Sequence, residues 1–384
     1  MSTRIVTSMA STNEEVAGLA KGVKSALGTD AAKLVVVFAS PEHSLGDVLA
    51  TTNTDFSDAV VIGASTSGEF TEVGDAKGAA SIFALAGDYR VFAGIGRGLK
   101  ASPEKAVVSA LAGIPRRVEG YPHTTAILLL DPIAGNGEEA TLIAASMLGE
   151  GVRLAGGAAG DDLKMKATQV GLGSDAANDA LVIALLFSKK PLGVGVSHGH
   201  APLSGPLKVT RSAGNVVSQI EERPAWDVWL EQTKRKNDPP KKDDETAYLL
   251  TYEAGLASGG TYKIRAPLSR NDDGSINFAC GIPQGTVMRI TESTPARQID
   301  SAREAAKRAR LQLGGAKPAG ALVFDCICRN LILKDDFARA VRGMSEELGN
   351  APLAGFETYG EIALDVGDMS GFHNTTSVVL AFPE

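Results

Sequence analysis

Cysteine is scarce in this chain of 384 residues: Cys280, Cys326 and Cys328 are too few, and odd in number, for a disulfide framework. No run of about 18 uncharged apolar residues occurs, so hydropathy offers no membrane-spanning helix. The opening residues Met1-Ser2-Thr3-Arg4-Ile5-Val6 lack the positive-then-apolar layout of a secretory signal and read as a strand, so a cytoplasmic protein is expected. An excess of cations is missing too. With 38 Lys and Arg against 45 Asp and Glu, the net charge of −7 works against a phosphate backbone, and nucleic acid is not an expected partner. Aromatics, at 5%, are too sparse for stacking platforms. No GxxxxGK[ST] loop is present to cradle phosphates, and no Cys-x-x-Cys-His segment exists for covalent haem attachment.

What is abundant is glycine, with 43 residues, in a composition that is 44% hydrophobic and 22% charged, as a folded globular chain requires. Three glycine turns resemble one another: Val61-Ile62-Gly63-Ala64-Ser65-Thr66-Ser67-Gly68-Glu69, Leu154-Ala155-Gly156-Gly157-Ala158-Ala159-Gly160-Asp161 and Leu353-Ala354-Gly355-Phe356-Glu357-Thr358-Tyr359-Gly360-Glu361. Each follows an apolar strand, a helical stretch and a further strand, the strands before the helices being 34–38, 126–130 and 321–324. Farther back stand helix starts at Thr12 with Glu15, at Ser102-Pro103 and at Thr294-Pro295, where a hydroxyl caps free amides and proline suits the first helical position. Recurrence on this scale predicts a modular mixed α/β fold of strand-helix-strand-helix-strand units, with mixed sheets covered by helices.

The length suggests two domains. The first, residues 1–230, holds two module copies and a hairpin-rich region over 193–220. A polar interval at 231–246, containing Pro239-Pro240, reads as a linker or insertion. The second domain, 247–384, carries the third copy. Its first helix, from Pro295, aligns Ile299, Ala302, Ala306, Ala309 and Leu313 in a narrow stripe suited to close packing on a sheet, with a basic face left to solvent.

The third copy is chemically the richest. Cys326-Ile327-Cys328-Arg329 stands near a strand end, Tyr359-Gly360-Glu361 in the turn, and Phe372-His373-Asn374-Thr375-Thr376 opens the last strand. If these strands are neighbours, Cys326, Arg329, Tyr359, Gly360, Glu361, His373 and Asn374 converge on one edge as a ligand site. Each has a plainer reading. Strand alternation puts Cys326 and Cys328 on one face, one as a core residue; Arg329 and Glu361 could form an ion pair; His373 could cap a strand. A Cys–His–Glu grouping would suit a thiol hydrolase or acyltransferase, but no glycine-rich oxyanion turn adjoins either cysteine, and no catalytic set is assigned. Cys-x-Cys is too tight for usual zinc spacing, so no metal set is assigned either. His198 and His200 would share a face of an extended strand and, with His373, are the candidate axial ligands if haem is bound.

These residues resemble a known family, the FIST sensory proteins, with N-terminal and C-terminal FIST domains, over nearly the whole chain. The likeness is carried by the first two glycine turns, by Ser197-His198-Gly199, Val209-Thr210, Gly214-Asn215 and Pro224-Ala225, by Gly285-Thr286, and by the three motifs of the last copy. His200 stands where a tryptophan is usual, and Glu357 where an aromatic often stands. The resemblance implies a sensory module for an amino-acid-like metabolite or, as in some bacterial members, a nitric-oxide-responsive haem protein acting on a histidine kinase. No transmitter, cyclase or F-box segment is legible, so a non-enzymatic sensor signalling through a separate protein is expected.

Overall fold

The computed structural model describes residues 2–258, 260–364 and 371–384. It is a mixed α/β fold built from three copies of one module, as the repeats predict. The first copy comprises β1 (Arg4–Ala10), α1 (Asn13–Leu27), β2 (Ala32–Ala39), α2 (Leu45–Asp55), β3 (Val60–Ser65), the hairpin β4 (Glu69–Thr71) and β5 (Gly74–Ala76), and β6 (Ala80–Ala86). The second comprises β7 (Tyr89–Arg97), α3 (Pro103–Leu111), β8 (His123–Leu130), α4 (Gly137–Leu148), β9 (Val152–Ala158), the hairpin β10 (Val170–Leu172) and β11 (Asp175–Ala177), and β12 (Ala180–Ser188). The predicted helix starts are real: Thr12 and Glu15 form a capping box, and Ser102 and Thr294 accept from first-turn amides.

The third copy opens with β13 (Gly193–His198) and is then interrupted. The interruption holds β14 (His200–Pro202), β15 (Leu207–Ala213), β16 (Val216–Ile220), β17 (Arg223–Pro224), α5 (Ala225–Gln232), α6 (Glu245–Thr251), β18 (Tyr252–Ser258), β19 (Thr261–Arg265), β20 (Pro267–Arg270), β21 (Ile276–Phe278) and β22 (Val287–Ser293). These strands form a separate sheet over a core that includes Trp229, Tyr248 and Phe278. The polar interval joins α5 to α6 within this unit. The copy resumes with α7 (Pro295–Leu311), β23 (Pro318–Cys326), α8 (Ile327–Leu333), α9 (Phe337–Glu347), β24 (Leu353–Thr358), the hairpin β25 (Glu361–Leu364) and β26 (Phe372–His373), and β27 (Thr376–Pro383).

Each module sheet runs first strand, last, second, third: β1-β6-β2-β3, β7-β12-β8-β9 and β13-β27-β23-β24, with only the final pair parallel. Each hairpin then leaves its own sheet. β4 extends the third sheet beside β24, β10 extends the first beside β3, and β25 extends the second beside β9. The exchange closes a ring of three interlocked sheets around one shared core, where Phe38 lies 4.5 Å from Phe356 and 6.4 Å from Phe324, ring centre to ring centre.

The repeated glycine at the start of each turn has a packing cause. Gly63, Gly156 and Gly355 sit opposite Val37, Leu128 and Val323 in register, and an added Cβ would stand 2.7, 1.9 and 2.5 Å from those residues' carbonyl oxygens. The alanine stripe of α7 packs closely as expected, because Gly193 and Gly195 let β13 touch the helix backbone at Ala309 and Ala305.

Candidate functional site

The third module and the inserted sheet meet along a seam that holds a cavity of about 180 Å³. His198 and Ser197 enter it from the end of β13, Thr261, Tyr262 and Lys263 from β19, Arg308 from α7, His373 from β26 and Thr376 from β27. Two of the histidines singled out in the sequence, about 175 positions apart, therefore share one hollow.

Behind this wall stands Glu361. It is fully buried, pairs with His373 across the β25–β26 ladder, and accepts from Thr358 Oγ1 (2.5 Å), the Thr376 amide (3.1 Å) and Thr376 Oγ1 (2.9 Å). Burial pushes its carboxyl up to about 7 despite those donors. Burial also lowers His198 and His373 to about 4, so both imidazoles are neutral at pH 7. His373 directs Nε2 to the Ala363 carbonyl (3.2 Å), which makes that nitrogen the donor and leaves Nδ1 as an acceptor. Asn374 is buried, donates to the His373 carbonyl (3.0 Å) and accepts from the Ala266 amide (3.4 Å), so it ties β26 to the inserted sheet.

Other expected members lie elsewhere. Arg329 is fully buried, with Nε on Asp325 (2.7 Å), Nη1 on Ser301 (2.7 Å) and on the Gln298 side chain, and Nη2 on the Gln298 carbonyl (3.0 Å). Its donors face protein acceptors, and it does not line the cavity. Tyr359 turns toward the second module, donating to Asp161 (2.5 Å) and accepting from the Leu163 amide (2.7 Å). Gly360 makes room for Phe372, whose ring an added Cβ would meet at 2.3 Å.

The expected alternation of Cys326 and Cys328 does not hold, because β23 ends at Cys326 and Cys328 belongs to α8. Both are buried with Leu250, Ala266 and Ile327, burial pushes the Cys326 thiol well above its usual range, and neither lines the cavity. His198 and His200 likewise part company. Gly199 is wedged against the backbone of Arg297 and Gln298, and there the chain leaves β13 for the inserted sheet. His200 is buried beside Thr291 Oγ1 (3.3 Å), with Nε2 3.6 Å from Glu253. The last strand is also split, since Thr375 takes a left-handed φ of 52° between β26 and β27.

Sequence reasoning missed Tyr262, Thr261, Lys263, Arg308 and Thr376. Arg308 belongs to the basic α7 face read as solvated; its Nη1 reaches the Val196 carbonyl (2.9 Å) and its Nε pairs with Glu304 (2.9 Å). The Thr261-Tyr262-Lys263 run follows a turn in a sheet whose docking no local pattern announces.

A family model for the FIST N domain matches residues 33–223, and one for the FIST C domain matches residues 225–364. The chain belongs to the FIST family. FIST domains are sensor domains of signal transduction, and here the two matched segments contribute opposite walls of the cavity, His198 from one and Tyr262 from the other. A search of curated proteins finds no match. Among the described residues, no helix is long and apolar enough to cross a membrane. Haem does not fit this cavity: among the described residues Val196 is its one aliphatic lining residue, both His198 nitrogens have neighbours at 3.3 and 3.5 Å, and Lys263 and Arg308 replace the apolar slot a porphyrin disc requires.

Proposed function

We propose that the protein is a sensor for a small polar metabolite of amino-acid type, bound in the cavity between β13, β19, β26 and β27. The observation that carries this reading is the pairing of two neutral imidazoles with hydroxyls of Ser197, Ser258, Thr261 and Thr376 around a volume of about 180 Å³. That volume is below the ~300–1,000 Å³ usual for drug-sized ligands and suits a compact one. His373 Nδ1 offers an acceptor for an ammonium group, while Lys263 and Arg308 line the same cavity and add positive charge that favours a carboxylate.

The location supports a signalling role. A ligand bonded to both the third module and the inserted sheet favours one arrangement of that seam, and only such a differential interaction alters affinity for a second protein. The output is binding to a separate signalling partner, a histidine kinase being the kind that the family resemblance implies. The test is a thermal-shift screen with the standard amino acids and related metabolites, followed by calorimetry. A ligand at 100 times its Kd adds about 2.7 kcal/mol to stability. His373→Ala and Tyr262→Ala should remove the shift. A panel that leaves the melting temperature unmoved sinks the reading.

A further inference from the structure

Set back from the cavity wall, the inserted sheet buries a carboxyl between itself and the third module. Glu253 stands on β18, and its Oε1 accepts from the Thr375 hydroxyl (2.9 Å). Its Oε2 has no hydrogen-bond partner among the described residues. At 3.6 Å from it lies His200 Nε2, which has none either. Both side chains are sealed from solvent. Two polar atoms facing each other in an interior without water are costly unless a proton lies between them.

Thr291 decides which atom carries that proton. Its hydroxyl donates to the Glu253 carbonyl (2.8 Å), so toward His200 Nδ1 (3.3 Å) it acts as the acceptor. His200 is therefore protonated at Nδ1, and Nε2 turns a lone pair to Glu253 Oε2. Burial lifts the Glu253 carboxyl well above its usual range, helped by Cys328 and Glu361. Burial also lowers His200 well below its own, helped by His198, Arg329 and Arg297. A neutral carboxylic acid donating to a neutral imidazole suits all of these neighbours.

This pair reaches both imidazoles of the cavity. On one side, the His200 backbone amide donates to His198 Nδ1 (3.3 Å) across the Gly199 junction. On the other, Thr375 stands two residues after His373 and directly before Thr376, fully buried at its φ of 52°. A β-branched residue holds that backbone state only where its surroundings impose it. The hydroxyl bond to Glu253 ties this turn to the inserted sheet. We infer that Glu253, a neutral acid held between Thr375 and His200, is the positioning residue that fixes both imidazoles of the metabolite cavity. It touches no ligand itself, and the inference rests on the cavity being the binding site proposed above.

The test reads the ring-nitrogen NMR shifts of the five histidines in the full, isotope-labelled chain, with no ligand added. His200 should report a neutral ring protonated at Nδ1, with Nε2 accepting a hydrogen bond. Glu253→Gln should preserve that signature and the shifts of His198 and His373, because its amide N–H donates to Nε2 and its carbonyl accepts from Thr375. Glu253→Leu should abolish it and move His198 and His373 as well, which a general loss of stability does not do in the folded fraction. Should that variant fail to fold, Thr375→Val should move His373 and leave His200 Nε2 bonded. An imidazolium at His200, or unmoved His198 and His373 in Glu253→Leu, overturns the assignment, as does an unmoved His373 in Thr375→Val. In the amino-acid thermal-shift panel, Glu253→Gln should respond as wild type, and Glu253→Leu should bind roughly tenfold more weakly, the worth of one hydrogen bond. A panel silent for wild type sinks the metabolite reading, while the ring nitrogens still decide on Glu253, so the two readings fail separately.

Discussion

The first and third modules carry the same turn, and its carboxylate does the same work in both. Glu69 accepts from Thr66 and from the Ala79 amide (3.1 Å); Glu361 accepts from Thr358 (2.5 Å) and from the Thr376 amide (3.1 Å). In each, a buried Thr-x-x-Glu clamp holds the start of the module's last strand. The second module does this differently: Asp131 receives the Asp179 amide (2.6 Å), while Asp161 binds the amides of residues 165–167. The contrast between Glu69 and Glu361 lies in what rests on the clamp. Ala79 presents a methyl to a closed core, whereas Thr376 presents a hydroxyl at a cavity roofed by the inserted sheet. The glycine turn is thus a strand anchor in the first and third copies, and a site arises where one residue on the anchor is polar and the inserted sheet covers it.

The third module also has a charge its relatives lack: Asp325 occupies the strand position held by Ala39 and Leu130 in the other two, by the shared register with Gly63, Gly156 and Gly355. Removing only one partner leaves a buried, uncompensated charge. Asp325→Ala should therefore cost roughly 3–5 kcal/mol in urea unfolding, and the double variant with Arg329→Met should recover much of it. A single-variant loss under about 1 kcal/mol, at the scale of surface pairs, would break the distinction between this core and the others.

An effect of similar size concerns pH. Burial holds Glu69 at about 8 and Glu361 at about 7, above the ordinary 4.5. The folded state thus binds these protons more tightly than the unfolded one. Their contribution is complete below about pH 4.5 and is lost as pH rises toward 7 and 8, on the order of 1.4 kcal/mol per pKa unit. Melting temperature should decline from pH 6 to 9, and Glu361→Gln should flatten the lower part of that decline and Glu69→Gln the upper part. Identical pH profiles for wild type and both variants would show that the two clamps are not titrating. The smallest change is Thr376→Val, which should cost about 1 kcal/mol in stability through the lost bond to Glu361. It should also weaken ligand binding, which calorimetry would register.

Much of the scaffold was readable because its signals are local. Caps at Thr12, Ser102 and Thr294, strand hydrophobicity and the recurring glycines each act within a few residues. The hairpin exchange was not readable, since Glu361 opposite Gly157 and Phe356 opposite Glu69 are pairings set by closure of the whole ring. The site shows the same division. His198 and His373 were found as chemically distinctive types. Arg329 is misplaced in the sequence reading because its partner Asp325 stands four residues earlier, across the junction of β23 and α8, a turn that no local pattern announces. Thr376 stood inside a quoted motif but was passed over, for a threonine gains meaning only from the carboxylate behind it.

The exchanged hairpins also bear on how this protein can be divided. The two FIST segments meet at residue 224 in the sequence, yet β4 completes the sheet of β24, and β25 completes the sheet of β9. Each segment is therefore a fragment with raw sheet edges, open to pairing with foreign strands, until the other segment closes it. What descends as two sequence units is inherited, structurally, as one indivisible object.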